Sequence, residues 1–337
     1  MISTRLRLAT PILCVSALLS VCGTASAGMV LTAAGTAQGF GLSTFATGFP
    51  SNSGNSIGPL GLAVTSSGVL IGDWANGTVY RFASDVDGQT AAGATATISY
   101  GGQGSVHGMG QLGDTVYMNS QSNGTLLQLN PDGTFNQTIV GGFSDANGVV
   151  VNPVTGHVYI ANSNGIYDVN PITKTKTLFV SQTGQDGLTI SADGSILYAE
   201  VNGHIIGYNT STAAKVFDSG FISGGPDGTV IGQGPLLGNI FVNTNNGNLI
   251  EVNLTTLTET IIGTGGTRGD FVTVDTTNGS LLVTQTSTVL RLTPPAGGFT
   301  SPVPEPSTIL PGIMSAFAIG LACWRRQRRK APNGTLA

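Results

Sequence analysis

A chain of 337 residues with 50 glycines and only 9% charged side chains is too apolar for a disordered polyampholyte, and three cysteines are too few for a disulfide scaffold. The formal net charge is −4, but between Gly28 and Pro304 sixteen acidic residues stand against six basic ones, a net charge near −10. That body repels phosphate backbones and anionic lipid surfaces, so nucleic acid is excluded as a partner.

The elements follow in chain order. Arg5 and Arg7 precede an almost wholly apolar or small run from Leu8 to Val21, and Ala25-Ser26-Ala27 presents small side chains two apart. This is the layout of a secretory signal over residues 1–27, cut by signal peptidase after Ala27. The apolar run falls short of the roughly 20 residues that a spanning helix needs. Residues 28–39 read as an N-terminal leader.

From residue 40 to 292 the chain repeats. Leu60-Gly61, His107-Gly108, Asn147-Gly148, Asp186-Gly187, Asp227-Gly228 and Asp270-Phe271 occupy equivalent places, and the second member of each pair recurs at spacings of 47, 40, 39, 41 and 43 residues. A period of about 42 is the length of one four-stranded propeller blade. Each unit continues with an alternating strand, a turn such as Asn76-Gly77, Asn164-Gly165 or Asn202-Gly203, and a further strand. Asn-Gly tolerates positive φ at both central positions and suits a tight hairpin.

A fourth, outer strand is predicted in five of the six units, over 94–100, 137–142, 175–181, 213–219 and 258–263. The sixth unit stops at Leu292 and lacks one. The unpartnered segment Gly41 to Phe49 has the same character, and if it completes the last blade the ring closes without an unpaired edge. The expected class is all-β: a six-bladed β-propeller closed by an N-terminal outer strand, with a signal peptide before it and a C-terminal transmembrane sorting helix after it. A sandwich or a β-solenoid would draw on the same strands and turns. Asp85-Val86-Asp87-Gly88 lacks the rest of a calcium loop and reads as a turn. Sequons such as Asn76-Gly77-Thr78 coincide with the hairpins and read as turn chemistry.

Residues 293–302 form a Pro/Gly linker. Pro304-Glu305-Pro306 follows, then the apolar stretch Ile309 to Trp324, then Arg325, Arg326, Arg328, Arg329 and Lys330, with a short tail over 331–337. An interfacial Trp324 and a basic stop make the C-terminus cytoplasmic and the β body external. A span of about 16 to 18 residues is marginal for a bilayer, as suits transient membrane anchoring. Cys14, Cys22 and Cys323 all fall in the two targeting segments, leaving the body without disulfides or thiolate metal sites.

The order Pro-Glu-Pro, apolar span, arginine cluster over 303–330 resembles the PEP-CTERM sorting signal of Gram-negative bacteria. That resemblance implies export, recognition by an exosortase, cutting near Pro304, Glu305 and Pro306, and a final address in the cell envelope, at the outer surface or in the extracellular matrix. An ordinary tail anchor is the plainer alternative. The units, most visibly Val151 to Asn162, resemble NHL and YVTN-type propeller repeats, a likeness that carries no catalytic motif.

The residue before each anchor is Leu60, His107, Asn147, Asp186, Asp227 or Asp270. In a propeller these would converge near one rim of the central channel. Gluconolactonase-like propellers, which this pattern loosely resembles, place a divalent metal there on carboxylate and amide ligands, which implies Asn147, Asp186, Asp227 and Asp270 as a ligand set, for Ca²⁺ by the hardness of its oxygens. That family's glutamate near the first blade has no clear counterpart, and Asp or Asn before Gly is also an ordinary turn pair. No nucleophile elbow, phosphate loop or His/Cys cluster is present. Two function classes follow. One is a non-catalytic module that binds an extracellular polysaccharide, a surface protein or an ion. The other is an exported metal-dependent lactonase or lyase with His107 as acid/base.

Overall fold

The computed structural model describes residues 28–295 and 298–299. The expected signal with its Ala25 and Ala27 site, the sorting segment with Pro304, Glu305 and Pro306, the stop at Trp324, Arg325, Arg326, Arg328 and Arg329, and all three cysteines lie outside the described residues.

The repeat becomes six four-stranded antiparallel sheets arranged in a ring. Blade 1 holds Pro59–Thr65, Gly68–Asp73, Thr78–Phe82 and Ala96–Ser99, from inner to outer strand. Blade 2 holds Met109–Leu112, Thr115–Ser120, Thr125–Leu129 and Phe135–Gly141, and blade 3 Val149–Val151, Val158–Asn162, Gly165–Asn170 and Thr175–Val180. Blade 4 holds Gln185–Ile190, Ile196–Val201, His204–Asn209 and Lys215–Phe221, and blade 5 Pro226–Ile231, Asn239–Thr244, Leu249–Asn253 and Glu259–Thr264. Blade 6 takes Val272–Asp275, Ser280–Gln285 and Thr288–Thr293 from the end of the repeat and Gly41–Thr47 from its beginning. Gly41 pairs with Thr293 and Thr47 with Thr288, so the expected closure is present.

Each blade buries both faces against its neighbours, which is why every residue of Pro59–Thr65 is buried while Phe135–Gly141 is mostly exposed. The core is a series of inter-blade clusters: Leu70 and Val79 of blade 1 pack with Val116 and Met118 of blade 2, and Ile205 of blade 4 with Ile240 and Val242 of blade 5.

Five of the six repeat anchors are glycine because the next inner strand comes too close for a side chain. A Cβ on Gly148 would collide with the Asp186 carbonyl oxygen, and one on Gly187 with that of Asp227. Asn-Gly behaves as expected at Asn202 and Gly203, with φ 51° and 87° in a two-residue loop between Val201 and His204. At 76–77 and 123–124 only the glycine has positive φ, because four-residue loops need the left-handed conformation once.

Two segments differ from expectation. Residues 28–39 are no detached leader: Val30–Leu31 adds a fifth strand to blade 5 against Gly263 and Thr264, and Thr32 caps the helix Ala33–Ala37 by accepting the Gly35 N–H at 3.1 Å. A two-residue strand has too little alternation to be legible. Asp85 and Asp87 do sit in a bend, but that bend reaches across to blade 6. Arg291 donates Nε to Asp87 Oδ1 at 2.8 Å and Nη1 to Asp275 Oδ2 at 2.5 Å, and Nη2 bonds Asp85. Gln89–Thr90 runs parallel to Ala46–Thr47 beside this cluster. Burial would raise the Asp275 carboxyl, but bonds from Thr277 and Arg291 outweigh it and hold its pKa below the ordinary value.

Candidate functional site

The inner strands all start at one mouth of the channel, and the residues before the anchors are gathered there. Asp186, Asp227 and Asp270 feel one another's charge. Leu60 is buried and apolar at the equivalent place. The remaining two, His107 and Asn147, stand beside each other, the imidazole hydrogen-bonded to the Asn147 backbone.

The charge inside this ring is balanced by a residue the sequence analysis did not single out. Arg268 puts Nε 2.7 Å and Nη2 2.5 Å from Asp270 Oδ1, with Nη2 3.6 Å from Asp227 Oδ2. Burial works against the guanidinium charge, but the bond to Asp270 and the fields of Asp227 and Asp186 outweigh it, and the Arg268 pKa rises. Two carboxylate oxygens of the ring have no hydrogen-bond partner: Asp186 Oδ1 and Asp227 Oδ1, both buried. Burial first, then the charges of Asp270 and Glu200, push Asp186 up to about 8. Burial and Asp186 push Asp227 well above the usual carboxylate range. Glu200, which bonds the Gly203 N–H at 2.7 Å, is pushed up by burial to about 7.

His107 is buried beside this ring. Its ring packs edge-on against Phe271, with centroids 5.8 Å apart, and Nδ1 has no partner. Burial, aided by the charge of Arg268, pushes its pKa down to about 3, so the ring is neutral near neutral pH. Among the described residues no group of three or more His, Cys, Asp or Glu side chains is gathered to hold a metal ion. Asn147 Oδ1 accepts from Gln121 Nε2 at 3.2 Å and Asp270 is held by Arg268, so two of the four expected ligands are engaged within the protein.

On the other side of the same mouth the polar ring continues through Trp74 and Gln121, which immediately follow the second strands of blades 1 and 2. The Trp74 indole donates to Gln121 Oε1 at 2.8 Å, and Gln121 Nε2 also donates to Asp145. The signals for these residues were in the sequence. Trp74 is the one tryptophan outside the sorting segment, and Arg268, one of six cations in the body, precedes Asp270 by two positions. The polar residues Asn119 and Asn243 on the second strands have a different task. Asn119 Oδ1 accepts the Gly108 N–H at 2.7 Å while its amide reaches the Asn147 carbonyl, and Asn243 Nδ2 donates to Thr284 O at 2.9 Å. They tie neighbouring blades together around the axis. The opposite mouth is a cavity of about 390 Å³ lined by Val149, Thr189, Ile190, Thr229, Ile231 and Thr273 among others, with no charged side chain.

Comparison with known proteins agrees with this architecture. Residues 302–330 match the PEP-CTERM protein-sorting motif. No curated protein matches the chain in sequence. A gluconolactonase from Xanthomonas campestris is 14% identical with a TM-score of 0.60, over 80% of this chain and 95% of that one. An auxiliary nutrient binding protein from Bacteroides thetaiotaomicron is 11% identical with a TM-score of 0.56, over 75% and 76%. The crystal structure of a nidogen/laminin complex includes a chain 16% identical, with a TM-score of 0.51 over 66% and 92%. Identities this low show a shared fold and nothing about the ligand.

Proposed function

We propose that this chain, an exported, cell-envelope protein with a PEP-CTERM sorting motif behind a six-bladed β-propeller, is a non-catalytic binding protein of the outer surface or extracellular matrix of a Gram-negative bacterium. The motif implies processing by an exosortase. The propeller holds its ligand at the polar mouth, and the ligand is an uncharged sugar unit of an extracellular polysaccharide.

The observation that carries this reading is the composition of the mouth. The indole of Trp74, the amides of Gln121 and Asn147 and the carboxyl of Asp186, all half-buried, line it from successive blades, with the exposed Asp145 beside them. An aromatic face for the C–H side of a pyranose, with fixed amide and carboxyl partners for its hydroxyls, is what a neutral sugar requires. Arg268 already neutralises part of the acidic ring, so no cationic ligand is demanded. Titration of the sorted protein with oligosaccharides from the host's own polysaccharide tests the proposal. Binding that weakens at least about tenfold in Trp74→Ala supports it. Equal affinity in parent and variant, or no binding to any glycan, ends it.

A second reading rests on the unpartnered Oδ1 atoms of Asp186 and Asp227. With Arg268 swung outward, these two, Asp270 and Asn147 would offer hard oxygen ligands to Ca²⁺, and a metal-dependent lactonase or lyase could work there. His107, neutral and enclosed, would contribute shape and not a charged acid. Melting of the parent with Ca²⁺ and with chelator separates the readings, since identical curves leave the mouth without a metal.

A further inference from the structure

Strand directions decide which face each turn occupies. Inner strands run away from the polar mouth, as Gln185–Ile190 does, so the inner-to-second and third-to-outer turns share the opposite face. Thr293, the end of a third strand, lies there paired with Gly41. Phe299 keeps the outgoing chain on that face: its N–H bonds the Gly279 carbonyl at 2.9 Å and its buried ring stands 4.8 Å from that of Phe241. The sorting motif begins at residue 302, three positions later.

Seven of the twelve exposed large apolar side chains among the described residues stand at or beside turns of this same face: Val86, Leu112, Phe135, Val154, Ile172, Leu237 and Leu257. Ile172 is 89% exposed, Leu237 74% and Val154 69%. Scattered singly, such residues need no explanation. These come from four blades and project from the face at which an apolar, membrane-directed tail leaves the domain.

We propose that this face is a lipid-docking surface. Its turn tips rest in the interfacial layer of the membrane that holds the sorting tail, and the polar mouth is turned outward. The tail limits what can cover the face, because the ten positions from Phe299 to Ile309, where the apolar stretch begins, extend at most about 35 Å. Binding here is apolar and not electrostatic: Asp114, Asp132 and Asp193 occupy turns of the same face against Lys174, which disfavours anionic lipid. Partial insertion of aliphatic side chains needs no charge, and the fitting partner is a zwitterionic bilayer surface. Until the tail is cut the domain would stand on the membrane with its sugar-binding mouth accessible.

The test uses the full chain, from a host without exosortase and with Cys323→Ser, in phosphatidylcholine vesicles carrying a lipid-bound nitroxide quencher. Single fluorophores are placed by Val154→Cys and Ile172→Cys on the proposed face and by Asn76→Cys and Asn123→Cys on the hairpin turns of the polar mouth. All four positions are exposed turn residues, so folding is preserved. The expected result is severalfold stronger quenching at 154 and 172 than at 76 and 123, unchanged by high salt. Equal quenching at all four positions overturns the proposal. So does protection of 154 and 172 in the sorted, tail-free protein that rises with its concentration and ignores lipid, which would assign the face to a second copy.

Discussion

Arg268 grips a single oxygen of Asp270 through two nitrogens, at 2.7 and 2.5 Å, and so places a permanent positive charge inside a ring of carboxyls where the sequence pattern pointed to a bound cation. The arrangement resolves the repulsion among Asp186, Asp227 and Asp270 within the chain itself, partly by this ion pair and partly by raised carboxyl pKa values.

Replacing Arg268 should therefore be costly. Arg268→Ala leaves buried Asp270 and Asp227 without their counter-charge, and losses of about 3–5 kcal/mol are typical of a broken buried pair. The loss should be greatest at pH 8 and smaller at pH 5, where protonation relieves the ring. Urea unfolding of parent and variant at both pH values checks this. If Ca²⁺ restores the variant but leaves the parent unmoved, the ring can accept a metal once the guanidinium is gone.

The parent itself should be most stable in mild acid. The folded-state pKa values of Asp73, Glu200 and Asp186 are raised to about 6, 7 and 8. A carboxyl raised on folding contributes stability that is fully present below its unfolded value, near 4, and is lost as pH rises through the folded value. Melting temperature should fall between pH 5 and pH 8, and Asp186→Asn should flatten that fall. A parent curve rising with pH over the same window would show that these carboxyls are ionised in the folded protein.

Ring closure should depend on Arg291 as well as on the strand it supports. Arg291→Ala strands the fully buried Asp275 and frees Asp85 and Asp87, with a cost of about 3–5 kcal/mol. Deleting 41–49 should abolish the cooperative transition altogether, because blade 6 then loses its outer strand. An intact transition in the deletion mutant would mean that the ring closes by packing alone.

Gly187→Ala should destabilise the domain by at least about 2 kcal/mol, since its new methyl meets the Asp227 backbone carbonyl and only a shift of a whole blade could make room. Gly220→Ala serves as a control, with nothing near its missing Cβ but with φ 76°, which isolates the conformational cost from the clash. Comparable losses in the two would show that close approach is not what the anchor glycine serves.

Sorting predicts a mass. In a host with an exosortase the mature protein should begin at Gly28 and end near Pro304-Glu305-Pro306, and an intact-mass spectrum reaching Ala337 would remove that processing step.

The sequence by itself determined the period, the number of blades, the closing strand and the sorting motif, because each is written in local alternation, glycine spacing or a contiguous run. Asp186, Asp227 and Asp270 were legible as convergent for the same reason, since one residue per repeat must meet at the axis. What fills the space between them was not. Arg268 and Arg291 look alike in a strand or loop, and which carboxyls each meets depends on the angle at which whole blades are set. Arg291 and Asp85 are 206 positions apart and in contact only because the first and last blades adjoin. The fifth strand at Val30–Leu31 and the burial of Phe299 have the same origin. Only the closed ring brings those segments to a surface they can complete.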